Sequence, residues 1–331
     1  NLYLTKGIDR AANVAALFEG VEREFAGDTS KLSNARTLRL KALQALGKVD
    51  EAAALLDQLL KEDPNARGLG ASAASLAKAM DQRGLDLRGT NSVESETLLR
   101  RAASYYVIAI RGQVQGEQAV RIDELEPVAN RLFSLALQFN GVPDTVESFV
   151  EWKATKLDGS LLELVVRAYE ALLTVSPSYR TNISLGRALG FLQRWEDAAE
   201  GYARLFERED FINLGTRTID TAAMTEKPEL TSALLEWGMC EREIGVSRNA
   251  PERLSRASSI FEALVLSTRE GSKNWWLAKF WQLQTMFDRG EYETGKIGID
   301  SIERTNPDFD EGPLEERFQR LLKEFEKRVN R

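Results

Sequence analysis

The sequence predicts an all-α fold, and three observations support this prediction. Apolar residues recur at i, i+4 and i+7, as in Ala52, Leu56 and Leu59, which places them on one face of a helix. The 8 prolines and 23 glycines lie mostly between such segments, where helices begin and end. No stretch alternates apolar and polar residues over the length of a strand. We therefore expect helices throughout, joined by turns and loops.

In the N-terminal half, the helices are separated by polar or glycine-rich segments. Loops are expected at 84–94 and from Gly112 to Glu117, and the run from Asn140 to Pro143 is a strong break. Pro127 is tolerated only near the first turn of its helix, where a missing N–H costs little. The predicted helices are 8–25, 31–46, 49–63, 66–83, 94–110 and 123–139.

The C-terminal half continues in the same manner, with one less regular segment at 211–226 that we interpret as a short helix and a loop. The last helix is mostly polar and carries a narrow apolar stripe of Phe318, Leu321, Leu322 and Phe325. Such a helix is typical of the cap that covers the exposed end of a repeat array. The other predicted helices are 144–156, 160–175, a pair within 180–207, 228–245, 250–268, 274–290 and 291–307.

The pair at 180–207 is the most regular unit of a repeat. Leu185 and Gly186 lie on its first helix, and Ala198, Tyr202 and Leu205 lie on its second. This pattern recurs at about 34 residues in the clearest units, so the chain resembles the tetratricopeptide repeat family. Further matches, in three other units, are Ala52, Leu56, Leu59 and Pro64; Leu234, Trp237, Gly238, Ala257, Phe261 and Leu264; and Ile299, Ile302 and Pro307.

The resemblance implies a right-handed α-α superhelix, a solenoid of antiparallel helix pairs with a C-terminal capping helix and a concave groove lined by the first helix of each pair. The units at 67–112 and 123–177 depart from the pattern, and Gly295 stands where the family usually has alanine. We therefore expect an array that is irregular in its middle. Its two groups of repeats are 1–140 and 141–331, within one continuous solenoid.

Composition argues against several classes of function. The chain has no histidine, which is the commonest general base and metal ligand, and its single cysteine cannot form a disulfide within one chain. With 51 acidic and 44 basic residues, the net charge is −7, which disfavours binding to nucleic acid phosphates. No apolar run is long enough to span a membrane. We expect no enzymatic activity, no cofactor and no metal.

The groove positions of the family, transferred to this sequence, give the candidate partner-binding residues. The lining is a mixture of apolar and basic side chains, which suits an extended peptide or a helix of acidic character. The alternative is that these residues pack on neighbouring helices or face water. With Trp281, which lies off the apolar stripe of its helix, the candidates are Lys41, Ile183, Arg187, Phe191, Leu235, Met239, Arg242 and Trp281.

Two other interpretations belong to different classes. Exposed Trp281 or Trp275 would suit a carbohydrate or cell-envelope polymer, because sugars stack on indole rings. The chain also begins at Asn1 without methionine, so it would suit an accessory domain of a larger enzyme.

Asp308, Asp310 and Glu311 resemble part of a calcium loop whose other ligands are missing. Whether the protein is cytoplasmic or periplasmic stays open.

Overall fold

The computed structural model describes residues 29–63, 69–114, 121–142, 159–208, 211–306 and 314–330, with isolated positions at 13, 17, 18, 21 and 24. The predicted helix at 144–156 and the carboxylates at 308–311 lie outside these residues, as do most of 8–25 and the prolines at 64 and 307.

The all-α prediction is confirmed. The described residues contain fourteen helices, nearly all of which begin and end within a few residues of the predicted bounds. They are α1 Thr29–Ala45, α2 Val49–Glu62, α3 Leu69–Asp86, α4 Ser92–Val114, α5 Ile122–Phe139, α6 Gly159–Val175, α7 Tyr179–Phe191, α8 Trp195–Arg208, α9 Thr221–Glu226, α10 Glu229–Arg248, α11 Pro251–Ser267, α12 Lys273–Asp288, α13 Tyr292–Thr305 and α14 Glu315–Val329.

Two loop predictions were wrong in detail. The helix α4 continues to Val114, so Gly112 lies inside it and faces Gly70 of α3, where the absence of side chains lets the two backbones approach. The segment at 211–226 contains the predicted short helix, α9, but its loop is a β-hairpin. In this hairpin β1 Ile212–Asn213 pairs antiparallel with β2 Thr218–Ile219. Strands of two residues are too short to show an alternating pattern.

Three of the helical hairpins have the same type of turn. In each, a three-residue connection has its middle residue in the left-handed region, with φ of 69° at Gly47, 58° at Gln193 and 79° at Gly290. The residue after it donates its N–H to a carbonyl five positions earlier, as Arg194 does to Leu189 at 3.0 Å. This is the Schellman type of helix end, which satisfies carbonyls that the helix leaves unpaired.

The chain forms two compact units, residues 1–139 with 163–176 and residues 140–162 with 177–331. In the first unit α3 and α4 pack together as a hairpin, with α5 against α4. In the second, neighbouring helices pack in chain order from α7 to α14, apart from α9 and the hairpin. The predicted division at residue 140 stays a prediction.

Candidate functional site

Most of the predicted groove residues lie inside the fold. The side chains of Ile183, Phe191, Leu235, Met239 and Trp281 are buried, whereas Lys41 is exposed. The helix α10 is the clearest case, because nearly every residue from Leu230 to Glu241 is buried, and helices on several sides pack against it. The side chains of these five residues pack against neighbouring helices, and a part for them in partner binding stays a prediction.

Arg187 is held in an ion pair within the second unit. Its Nε and Nη2 atoms lie 2.8 and 2.6 Å from Oε1 of Glu236, a side chain with no exposed surface. The hydroxyl of Tyr202 donates to the other carboxylate oxygen of Glu236 at 2.6 Å. Burial and the neighbouring Glu236 raise the pKa of Tyr202 well above its ordinary value. Arg187, which was predicted to line the groove, therefore balances the buried charge of Glu236.

Arg242 lies at an open cavity. Its guanidinium is 5.3 Å from the centre of the Trp281 ring, the geometry of a cation–π contact. The Nε atom donates to Asp288 at 2.6 Å and Nη1 donates to Glu243 at 2.7 Å. These contacts hold the guanidinium over the indole ring, so two of the predicted residues, Arg242 and Trp281, are brought together.

The cavity has a volume of about 420 Å³, opens to solvent and is bounded by α10, α12 and α14. Its apolar lining is largely aromatic, from Phe280, Trp281 and Phe287 of α12, with Leu321 of α14. Its wide opening makes it a shallow depression rather than an enclosed pocket. The polar lining residues are Arg242, Gln284, Arg317, Arg320 and Glu324.

The indole N–H of Trp281 has no hydrogen-bond acceptor among the described residues, although the atom is buried. The whole side chain is 5% exposed and packs edge-on against Phe280, with ring centres 5.3 Å apart. A buried donor without an acceptor costs about 1–3 kcal/mol, so such groups are rare in folded proteins. Trp281 therefore lines the cavity with its ring, while its N–H is a buried donor without an acceptor among the described residues.

The other two tryptophans of α12 do not form a surface. Trp275 and Trp276 are each 6% exposed, and their rings contact each other edge-on at 4.7 Å. Trp276 also packs on Phe318 of α14 at 5.9 Å. The predicted apolar stripe of α14 thus covers this aromatic cluster, as expected of a capping helix.

Arg317 and Arg320 were missed as lining residues, because the polar residues of a capping helix are expected to face solvent. Their spacing of three places them on neighbouring turns of one face, next to Leu321. That spacing was the available signal, but the sequence does not show which helix lies opposite this face.

A smaller cavity of about 170 Å³ lies in the first unit, between α3, α4 and α5. Small side chains form much of it, including Gly70, Ala71 and Ala74. Its polar residues Gln113 and Glu124 bond to each other at 3.2 Å. These contacts favour a packing gap over a binding site.

No family model matches the chain, and no curated protein matches it. Among solved structures, the crystal structure of yeast Tom70 matches at 9% identity and a TM-score of 0.20. The match covers 90% of this chain and 63% of that chain, so this chain spans less than two thirds of the matched structure. A likeness at this score supports no argument about fold or function.

None of the described helices combines the length and the apolar character that crossing a lipid bilayer requires.

Proposed function

We propose that this chain is a divergent tetratricopeptide-like scaffold without enzymatic activity, and that it binds a peptide or protein partner at the cavity between α10, α12 and α14. The observation that carries the proposal is the open cavity of about 420 Å³ with an aromatic wall and an arginine edge. Helical repeat arrays typically use such surfaces to hold extended partners.

The chemistry of the remaining residues agrees with a binding role. The chain has no histidine, and Cys240 is fully buried, so no accessible thiol is present among the described residues. Burial raises the pKa of Cys240 well above its ordinary value, with the nearby Glu236 adding to the effect. A buried, protonated thiol is a poor nucleophile. Glu241 is also fully buried and accepts bonds from Trp237 and Arg253, so it balances charge within the fold.

The test is a selection from a random peptide library displayed on phage, against the full chain and a variant with a filled cavity. Gln284 is half-buried and lines the cavity, so Gln284→Trp adds volume there without removing a charge. We expect peptides selected on the wild type to bind this variant roughly tenfold or more weakly, because an anchor side chain no longer fits.

The matched control is Gln82→Trp, the same substitution at an exposed position of α3. This control should bind the selected peptides as the wild type does, and both variants should keep the far-ultraviolet spectrum and melting temperature of a folded helical protein. A selection that enriches no peptide, or peptides that bind the filled variant equally well, would rule out partner binding at this cavity.

A second candidate is a carbohydrate or cell-envelope polymer, favoured by the position of Trp281 in the cavity wall. Against it, Arg242 already lies over the indole ring, where a sugar would stack. Titration with soluble cell-envelope oligosaccharides should quench tryptophan fluorescence if this candidate holds, and Trp281→Phe should abolish the change. A flat titration excludes it.

A further inference from the structure

The half-buried lysines of the described residues differ in what surrounds their ammonium groups. There are three, Lys227, Lys279 and Lys296. The Nζ atom of Lys296 lies 3.1 Å from Oδ2 of Asp300, and that of Lys227 lies 4.9 Å from the centre of the Tyr179 ring. Both environments favour a charged nitrogen, one through a carboxylate and the other through the face of an aromatic ring.

Lys279 is the exception, because its polar contact is neutral. Its Nζ atom lies 3.2 Å from Oε1 of Gln282, three residues further along α12, and no carboxylate of the described residues lies within 4 Å of it. Gln282 is itself buried. An amide oxygen accepts a hydrogen bond from a neutral amine as well as from an ammonium, so this contact does not require the charge.

The carboxylates that act on Lys279 electrostatically belong to α11, which packs against α12, and they have other partners. Glu262 accepts from Arg217 of the β-hairpin at 2.7 Å, and Glu270 accepts from Asn306 at 3.4 Å. Burial lowers the pKa of Lys279 below its ordinary value, and the more distant Glu262 and Glu270 oppose this shift without cancelling it. At a given pH, more of Lys279 is therefore neutral than of an exposed lysine.

A neutral amine is a nucleophile, whereas an ammonium is not. An exposed lysine at pH 7.5 is neutral in only about one molecule in a thousand, so a modest change in this fraction has a large effect on its reactivity. Lys279 is only half-buried, so part of its surface remains in contact with solvent and with small reagents.

We propose that Lys279 is an acylation site, the lysine of the described residues that reacts first with acyl thioesters. Its neutral amine attacks the acyl carbon, a C–N bond forms, the C–S bond breaks, and the leaving thiolate takes up the proton that the nitrogen loses. The product amide keeps one N–H, which still donates to Gln282. The site is separate from the cavity of the proposed function, because Lys279 is not one of its lining residues.

The test measures acylation of the full chain lysine by lysine. A brief pulse of dilute acetic anhydride is given at several values between pH 7 and 10.5, the chain is unfolded, and the remaining amines are labelled with the deuterated reagent, so that mass spectrometry gives each rate. The rate of acylation of an amine rises with pH and levels off above its pKa. Circular dichroism confirms at each pH that the protein is folded.

Lys279 should level off at a lower pH than Lys296 and the exposed Lys48, which pairs with Glu51. At pH 7.5 it should react roughly threefold to tenfold faster than either, because more of it is neutral. Incubation with N,S-diacetylcysteamine, a small acetyl thioester, should acetylate Lys279 before these two lysines.

Gln282→Glu should slow the acylation of Lys279, because it places a carboxylate where the amide oxygen now lies, 3.2 Å from Nζ. An opposite charge at this distance favours the ammonium and should reduce the rate at pH 7.5 roughly tenfold or more. The matched control is Gln284→Glu, the same change of charge at a half-buried position of the same helix. This control should leave the rate at Lys279 close to that of the wild type.

The proposal is overturned if Lys279 levels off at the same pH as Lys296, or if the thioester acetylates Lys296 or Lys48 first. Equal slowing by Gln282→Glu and Gln284→Glu would also overturn it, because the added charge would then not act through the contact with Lys279. The wild-type profile decides the proposal even if Gln282→Glu does not fold.

Discussion

At the scale of single residues, buried charge is a prominent feature of the second unit. Glu236 and Glu241 have no exposed surface and lie on one helix, α10. Each is balanced from a neighbouring helix, Glu236 by Arg187 of α7 and Glu241 by Arg253 of α11. Removing one partner of a buried ion pair is costly, because the remaining charge is left without compensation.

We therefore expect Arg187→Met to lower the free energy of unfolding by about 3 kcal/mol. The substitution keeps an unbranched apolar stem at this position and removes the guanidinium that lies 2.6 Å from Glu236. Urea unfolding followed by circular dichroism measures the change. Adding Glu236→Gln to this variant should recover part of the loss, because it removes the unpaired charge and keeps an acceptor for Tyr202.

Arg180→Met provides the comparison, because Arg180 is 71% exposed and pairs with Glu229 at the surface. This control should lower stability far less than Arg187→Met does, because solvent screens an exposed pair. Equal effects of Arg187→Met and Arg180→Met would show that the pair with Glu236 contributes no more than a surface pair.

At the scale of elements, glycines that face aromatic rings set the distance between the helices of three pairs. A methyl group on Gly186 of α7 would lie 2.5 Å from the ring of Tyr202 of α8, and one on Gly238 of α10 would lie 2.6 Å from Phe261 of α11. Gly295 of α13 faces Phe325 of α14 in the same way, which explains why a glycine occupies this position. Each small residue admits a ring that fixes the distance between two helices.

We expect Gly186→Ala to destabilise the protein by about 1–3 kcal/mol, although alanine is the better helix former. The ring of Tyr202 is fully buried and its hydroxyl is bonded to Glu236, so it has little freedom to move away. The measurement is the urea midpoint at constant m value.

The control is Gly201→Ala on α8, where an added methyl group meets no described atom within 4 Å. There the gain in helix propensity should stabilise the protein by roughly 0.5–1 kcal/mol. If both substitutions stabilise, the contact between Gly186 and Tyr202 does not limit the spacing of α7 and α8.

At the scale of the whole molecule, the chain consists of two compact units, each built from helices that pack mainly on their neighbours in sequence. In arrays of this kind, stability is approximately a sum of local terms and nearest-neighbour interfaces. A perturbation should therefore remain near its origin. The first unit offers a suitable site, because Arg131 of α5 makes two bonds of 2.6 Å to the buried Asp81 of α3.

We expect Arg131→Met to speed amide hydrogen exchange in α3, α4 and α5 and to leave exchange in α10 to α14 unchanged. Hydrogen exchange with mass spectrometry resolves these segments. Arg83→Met, which removes two exposed contacts of 3.4 Å to Asp50 and Glu94, should alter exchange little. Faster exchange throughout the described residues would contradict a local response.

The sequence by itself predicted most of the described helices and the antiparallel helix pair within 180–207, because these depend on residues close together in the chain. Helical period shows which side chains share a face, but it does not show how many sides of a helix are covered. For α10, neighbours on several sides bury Leu235 and Met239, which were expected in a groove.

The cavity was decided by the tertiary structure. Its walls come from α10, α12 and α14, so Arg242 and Arg320 lie 78 positions apart in sequence and meet at one cavity only after packing. The unsatisfied N–H of Trp281 has the same origin, because hydrogen-bond partners depend on which helices surround a side chain. Local patterns therefore determine the elements, whereas burial, ion pairing and open volume depend on contacts between residues distant in sequence.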